Sequence, residues 1–214
     1  MVLLEDLIRG LPPVTRIVIG ASTVIALLCT LDMISPLSLY LNWDLIYNQR
    51  QWWRLISCFF FLGELNLQFC WNIFIYIQYC SSLEEVSFRG KTPDFVWMLV
   101  SAGSLLIFFS YTFKLSSIFL SSSLMDVMTY VWSKKNPAAL VQVFFITLSA
   151  AYLPFVLTAL SFLMGGSVVD HIIGIFVGHI YYFFTEIYPL MPTSGGIRIF
   201  KTPKLLKIAL GYQD

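Results

Sequence analysis

The sequence predicts an all-α, polytopic membrane protein with six transmembrane helices. Three observations predict it. Of 214 residues, 58% are hydrophobic and only 12% are charged, about half the charge of an ordinary soluble domain. The apolar residues gather in runs approaching the roughly 20 that a bilayer-crossing helix needs. Lys and Arg cluster between those runs. The net charge is +1, so no basic field points to nucleic acid.

In chain order, LIRGLPPVTR (Leu7–Arg16) mixes polar and apolar residues and stops at Pro12-Pro13. It is expected to lie on the membrane surface as a short helix. The first span is about Arg16–Leu31, the second Leu67–Leu83 and the third Phe95–Phe113. The fourth is Ile118–Trp132, the fifth Val141–Met164 with a bend near Pro154, and the sixth Val168–Ile187. Gly63, Glu64 and Asn66 interrupt the apolar run ahead of the second span. The fourth carries Ser121, Ser122, Ser123 and Asp126. So polar a helix is costly against lipid, and its expected place is the middle of the bundle. Residues 1–190 form the membrane domain and 191–214 a short cytosolic tail.

A long insert, Asp32–Trp53, joins the first two spans. Its Trp43, Trp52 and Trp53 suit the headgroup region. The other connections are short. Arg9, Arg16, Arg89, Lys91, Lys134, Lys135, Arg198, Lys201, Lys204 and Lys207 fall on one side of the membrane. Arg50, Arg54 and Lys114 fall on the other. The excess places both termini in the cytosol, which agrees with an even number of spans. No short apolar core with a small-residue cleavage site opens the chain, so the first span is expected to direct insertion. The four cysteines, Cys29, Cys58, Cys70 and Cys80, show no metal or disulfide spacing. They read as small buried hydrophobes.

The most informative stretch is Gly165–Pro189, GGSVVDHIIGIFVGHIYYFFTEIYP. His171, Gly174 and Gly178 share one helix face. Gly174-x-x-x-Gly178 allows close approach of a neighbouring helix. An ionisable residue on that face is either a functional group or a polar residue near the membrane surface of a packing helix. His171 and His179 stand about 12 Å apart along a helix, too far to share a metal. HExxH and phosphate-binding loops are absent. No metal, nucleotide or other cofactor is expected. Trp53-Arg54 closes the insert, and Arg54 is either an interfacial anchor or a tie to carbonyls or a carboxylate. Asn72, in mid-span, must find partners. Glu84, at the end of the second span, suits a cap or an ion pair.

These features resemble the rhomboid superfamily, and more closely the Derlins, rhomboid-like pseudoproteases of endoplasmic-reticulum quality control. LPPVTR (Leu11–Arg16), ISPLSLYLNWDLIY (Ile34–Tyr47), QWWRLI (Gln51–Ile56), LEEVSFRGKTPDFVWM (Leu83–Met98), YVWSKKNP (Tyr130–Pro137), YLPFVL (Tyr152–Leu157), GIFVGHIYYF (Gly174–Phe183) and GGIRIFKTPKLLK (Gly195–Lys207) look like Derlin segments in Derlin order. They are most like the Derlin-2/Derlin-3 branch. The resemblance implies a six-span rhomboid-like fold in the endoplasmic reticulum membrane and a non-enzymatic part in ERAD, alongside the unfolded protein response. It implies dealings with membrane lipid, misfolded proteins, a membrane ubiquitin ligase, a cytosolic AAA+ unfoldase and other Derlin copies. Derlins usually carry a long tail with a Gly-rich motif for the unfoldase. None occurs up to Asp214, which leaves recruitment to a partner or to residues beyond this sequence.

In proteolytic rhomboids a Ser on the fourth span works with a His on the sixth. Ser121 and His171 match those places, and Gln68 and Asn72 match the oxyanion-site residues. The glycines that should flank the serine are replaced by Phe119, Leu120 and Ser122, which crowd the backbone donors an oxyanion needs. No catalytic residue is therefore expected. The alternative is an intramembrane serine protease using Ser121 and His171. Under the pseudoprotease reading, Gln68, Asn72, Ser121, Ser122, Ser123, Asp126 and His171 converge on a polar cavity. A transporter reading built on Asp126, Asp170 and Glu64 is opposed by the absence of an inverted repeat.

Overall fold

The computed structural model describes residues 10–114, 119–143, 146–192, 195–196 and 199–211. Helix α1 is Pro13–Thr30, started by a proline whose missing N–H costs nothing in a first turn. The insert holds α2, Trp43–Gln49, capped by Asn42 Oδ1, which accepts from Leu45 N at 3.1 Å. A single helical turn, Arg54–Ser57, follows. Asn66 likewise caps α3, Leu67–Ser82, which runs into a wider turn at Leu83–Ser87. Helix α4 is Thr92–Thr112 and α5 is Ser121–Lys135. Helix α6 is Leu153–Leu163. Helix α7, Val168–Tyr182, continues through Phe183–Ile187. The short α8 is Lys204–Ala209.

Five expected spans coincide with helices to within a few residues. The fifth does not. Leu140–Val143 and Ile146–Ser149 form an antiparallel hairpin, β1 and β2, with Val143 opposite Ile146. The apolar run there alternates with Gln142, Thr147 and Ser149 and is rich in β-branched residues, which suits a strand. Pro154 sits in the first turn of α6 and starts that helix rather than bending it. Ile118, and all of the expected surface helix before Gly10, lie outside the described residues.

Among the described residues, three helices are long and apolar enough to cross a bilayer: Pro13–Thr30, Thr92–Thr112 and Val168–Leu190. Their flanks carry apolar side chains outward, including Val24, Phe108, Ile172 and Phe176, as a lipid-facing surface should. Cys29, Cys58 and Cys80 are buried, but Cys70 is exposed. The expectation for Cys70 is corrected: in a membrane an apolar side chain gains little by leaving the lipid for the core.

Helix α5 is the hub. Eleven of its fifteen residues are buried, and it packs against α3, α4, α6 and α7. Its most extensive partner is α7. A Cβ at Gly174 would lie 2.5 Å from the Ser123 carbonyl oxygen, and one at Gly178 would lie 3.0 Å from Tyr130 Cβ. The GxxxG face is therefore turned onto α5. Beyond the bundle, Phe200 packs on Tyr181 and Phe184, and Thr202 Oγ1 donates to Asp94. These contacts bring the C-terminal segment back under the helices.

Candidate functional site

Arg54 is buried although its neighbour Trp53 is 55% exposed. Its Nη1 donates to the carbonyls of Leu37 and Tyr40, each at 2.9 Å, and its Nε donates to Gln51 Oε1 at 2.7 Å. Trp53 Nε1 reaches the Ser38 carbonyl at 3.4 Å, and Ser57 Oγ donates to Leu39 O at 3.0 Å. The guanidinium fork thus ties the front of the insert to its end through carbonyls.

At the opposite end of the bundle, Glu84 is buried against the start of α1. It accepts from Val14 N (3.0 Å), Thr15 N (2.9 Å) and Thr15 Oγ1 (2.8 Å). Orphan amides of a helix N-terminus form a ready anion site. Glu84 is therefore a cap delivered from about seventy residues away.

The sequence pairs Ser121 with His171 as a possible dyad; the structure separates them. Ser121 Oγ donates to the Phe61 carbonyl at 2.6 Å. His171 is only 3% exposed, with Nδ1 2.6 Å from Asp126 Oδ2 and Nε2 2.6 Å from Ser161 Oγ. A carboxylate only accepts, so Nδ1 carries a proton. In the neutral ring Nε2 then accepts from the Ser161 hydroxyl. The chain Asp126–His171–Ser161 joins α5, α7 and α6. Its order is that of a hydrolase relay. Asn72, matched to an oxyanion donor in the sequence, instead gives an N–H to Leu62 O at 3.1 Å. The relay's visible work is to tether three helices. Asp126 Oδ1 is buried and has no hydrogen-bond partner among the described residues, so Asp126 depends heavily on His171.

Ser161 escaped the sequence reading. It is one hydroxyl in an apolar run, ten residues before His171, and the turn at Gly165-Gly166 folds it back. A Cβ at Gly166 would clash with Ser161 Oγ and lie 2.9 Å from the Ser161 carbonyl oxygen, so glycine lets this turn close. The available signal was that a buried histidine needs two partners.

Beside the relay lies a polar cavity of about 70 Å³, lined by Gln68 and Asn72 from α3, Ser122 from α5, Ser161 from α6, and Asp170 and His171 from α7. It has room for several waters at roughly 10–15 Å³ each. Of the residues expected at such a cavity, Gln68, Asn72, Ser122 and His171 line this one. Ser121, Ser123 and Asp126 do not line it: they are buried between helices, and Ser123 Oγ donates to the Asp170 carbonyl at 2.8 Å. Consecutive helical residues point about 100° apart, so three serines in a row cannot share one wall. A second polar pair, Tyr130 Oη and His179 Nδ1 at 2.8 Å, joins α5 to α7 nearer the other end, with His179 exposed. Among the described residues no group of three His, Cys, Asp or Glu side chains is placed to hold a metal.

Comparison with known proteins fits this architecture. The sequence model of the Der1-like family matches residues 11–204. Derlin-2.2 of Arabidopsis thaliana is 40% identical over 95% of this chain and 86% of its own length. Derlin-2 of Oryza sativa subsp. japonica is 39% identical over 95% and 84%. A probable derlin-2 homolog of Dictyostelium discoideum is 33% identical over 98% and 84%. With a family match over most of its length and relatives this similar end to end, the chain belongs to the Der1-like family, and it is a multi-pass membrane protein of the Derlin type.

Proposed function

We propose that this protein is a non-enzymatic component of endoplasmic-reticulum-associated degradation that helps move misfolded proteins from the lumen to the cytosol. The observation that carries this reading is the polar cavity at Gln68, Asn72 and Ser122, walled in part by helices too short for the bilayer. Helix α5 has 15 residues, and α6 with the turn that leads into it runs only from Ala150 to Leu163. At 1.5 Å per residue each extends roughly 20 Å or a little more, against a hydrocarbon core of about 30 Å. Such a mismatch is relieved by local thinning of the membrane. A polar, thinned region lowers the cost of passing backbone amides that hydrocarbon would leave unsatisfied. Support for a non-enzymatic role comes from Ser121, whose hydroxyl is bonded to a carbonyl instead of a base.

On this reading both termini face the cytosol of an endoplasmic reticulum membrane. A membrane ubiquitin ligase, a cytosolic AAA+ unfoldase and other Derlin copies are the working partners. The test is degradation of a misfolded lumenal reporter in cells lacking the endogenous protein. Ser121→Ala should sustain degradation, and Ser122→Trp, which fills the cavity, should block it at an unchanged protein level. Undiminished degradation with Ser122→Trp would overturn the cavity reading. Labelling by a fluorophosphonate serine-hydrolase probe that vanishes in Ser121→Ala, together with lost degradation, would establish the protease instead.

A further inference from the structure

The C-terminal segment folds under the bundle and encloses a second cavity, of about 290 Å³. It lies at the end of the molecule where α4 and α6 begin and where α5 and α7 finish, and it shares no lining residue with the polar cavity described above. Its charged lining is Lys91, Lys135, Lys201 and Lys207 against Asp94 and Glu186. With Lys135 paired to Glu186, Lys91 and Lys201 still outnumber Asp94. Lys135 Nζ lies 2.6 Å from Glu186 Oε1, and Thr202 Oγ1 donates to Asp94 Oδ1. The remaining field in the cavity is positive. The Ser87 hydroxyl adds a donor. Trp97 also lines the cavity, and its buried indole N–H has no hydrogen-bond partner among the described residues. An indole N–H can only donate, and a buried donor left unpaired is costly. Lysines, a hydroxyl and an unpaired indole N–H together call for an oxygen-rich anion.

The surroundings indicate what carries that anion. Helix α8 turns Leu205 and Ile208 outward at 81% and 70% exposure, and Ile199 and Leu190 are exposed nearby. Lys204 and Lys207 share the same short helix. Apolar residues beside lysines at a bundle end suit the boundary between headgroups and acyl chains. A soluble anion would gain nothing from that apolar edge. A lipid would gain on both counts.

We propose that this cavity binds the phosphate-monoester headgroup of an anionic membrane lipid, with the apolar side of α8 resting among its acyl chains. The phosphate oxygens would accept from Lys91, Lys201 and the Trp97 indole. The acyl chains would pass Leu205 and Ile208. Occupation of the site would fasten the C-terminal segment to the bundle at the membrane surface. The inference does not depend on the degradation role proposed above.

The test uses the purified full chain in mild detergent and three probes: a fluorescent short-chain phosphatidylinositol monophosphate, the matching phosphatidylcholine, and inorganic phosphate. The monophosphate lipid should bind, and weaken as salt is raised. Phosphatidylcholine should not bind. Inorganic phosphate should compete only at much higher concentration. A lysine near such a headgroup contributes about a five-fold change in affinity. Lys91→Gln with Lys201→Gln should therefore lose roughly twenty-five-fold. Both side chains are exposed, so the fold should survive, as an unchanged melting transition would verify. Lys114→Gln, at the other end, should bind as the parent does. Trp97→Phe should weaken binding while keeping the ring. Unchanged affinity in the double lysine variant, or equal binding of phosphatidylcholine, would overturn the proposal. Inorganic phosphate binding as tightly as the lipid would overturn the lipid assignment.

Discussion

The close approach of α7 to α5 at Gly174 makes a quantitative prediction. Gly174→Ala adds one methyl group on the α7 face that meets α5. That carbon would stand 2.5 Å from the Ser123 carbonyl oxygen, 2.7 Å from Asp126 Cβ and 3.0 Å from Ser123 Cα. Relaxed contacts of this kind lie near 3.5 Å or beyond, so the helices must part by about 1 Å. Two of the three obstacles are backbone atoms and cannot rotate aside. The same movement would stretch the bonds that flank the contact, Ser123 Oγ to Asp170 O and His171 Nδ1 to Asp126 Oδ2. Overpacking alone costs about 1–3 kcal/mol. Weakening a buried charged hydrogen bond adds about 1.5–3 kcal/mol at full loss. The expected destabilisation is therefore about 3 kcal/mol. Gly178→Ala is the internal control, because its new carbon meets Tyr130 Cβ, Cδ1 and Cγ at 3.0–3.3 Å, so the helices need give by only a few tenths of an ångström. It should cost about 1 kcal/mol, at the low end of overpacking. The larger Gly178→Leu should exceed Ser121→Ala, which removes one hydroxyl and leaves the Phe61 carbonyl unpaired. Reversible unfolding in mixed micelles, followed by circular dichroism against denaturing detergent, reads these differences. If Gly174→Ala proved as stable as the parent, or Gly178→Ala proved worse, the close-contact reasoning would be wrong.

Two further predictions follow from the polar contacts. Asp126→Val or His171→Leu alone should cost about 3–5 kcal/mol by stranding a buried partner, while the double variant should recover most of that loss; additive losses in the same unfolding assay would show that the pair is not coupled. Glu84→Ala should cost about 1–3 kcal/mol by leaving the Val14 and Thr15 amides without their acceptor, and hydrogen exchange should quicken at the start of α1 but not at its end; uniform protection would argue against a distant cap.

What the sequence could decide and what it could not divide along a physical line. Spans such as Thr92–Thr112 and Val168–Tyr182 are legible because a bilayer imposes a length and an apolar composition on any helix that crosses it, whatever its neighbours are. The central place of α5 was legible for the same reason: Ser121, Ser123 and Asp126 are too polar for lipid, so the helix that bears them belongs inside. Arg54 and Glu84 were visible as residues that must find partners, and the turn Gly174-x-x-x-Gly178 as a face made for contact. Their partners were not visible. Glu84 reaches Val14 and Thr15, and His171 reaches Ser161 and Asp126, through separations of up to about seventy residues that carry no periodic signal. The hairpin at Leu140–Ser149 was misread because a short apolar run fits a strand or a helix equally well until its neighbours are known. The serine row shows the same limit: composition placed Ser121, Ser122 and Ser123 in the interior, but only the rotation of α5 against α3 and α7 turned Ser122 alone toward the cavity. Composition acts on each segment separately, whereas which hydroxyl meets which ring nitrogen depends on how the segments are rotated and packed, and that is settled only when all of them are in place.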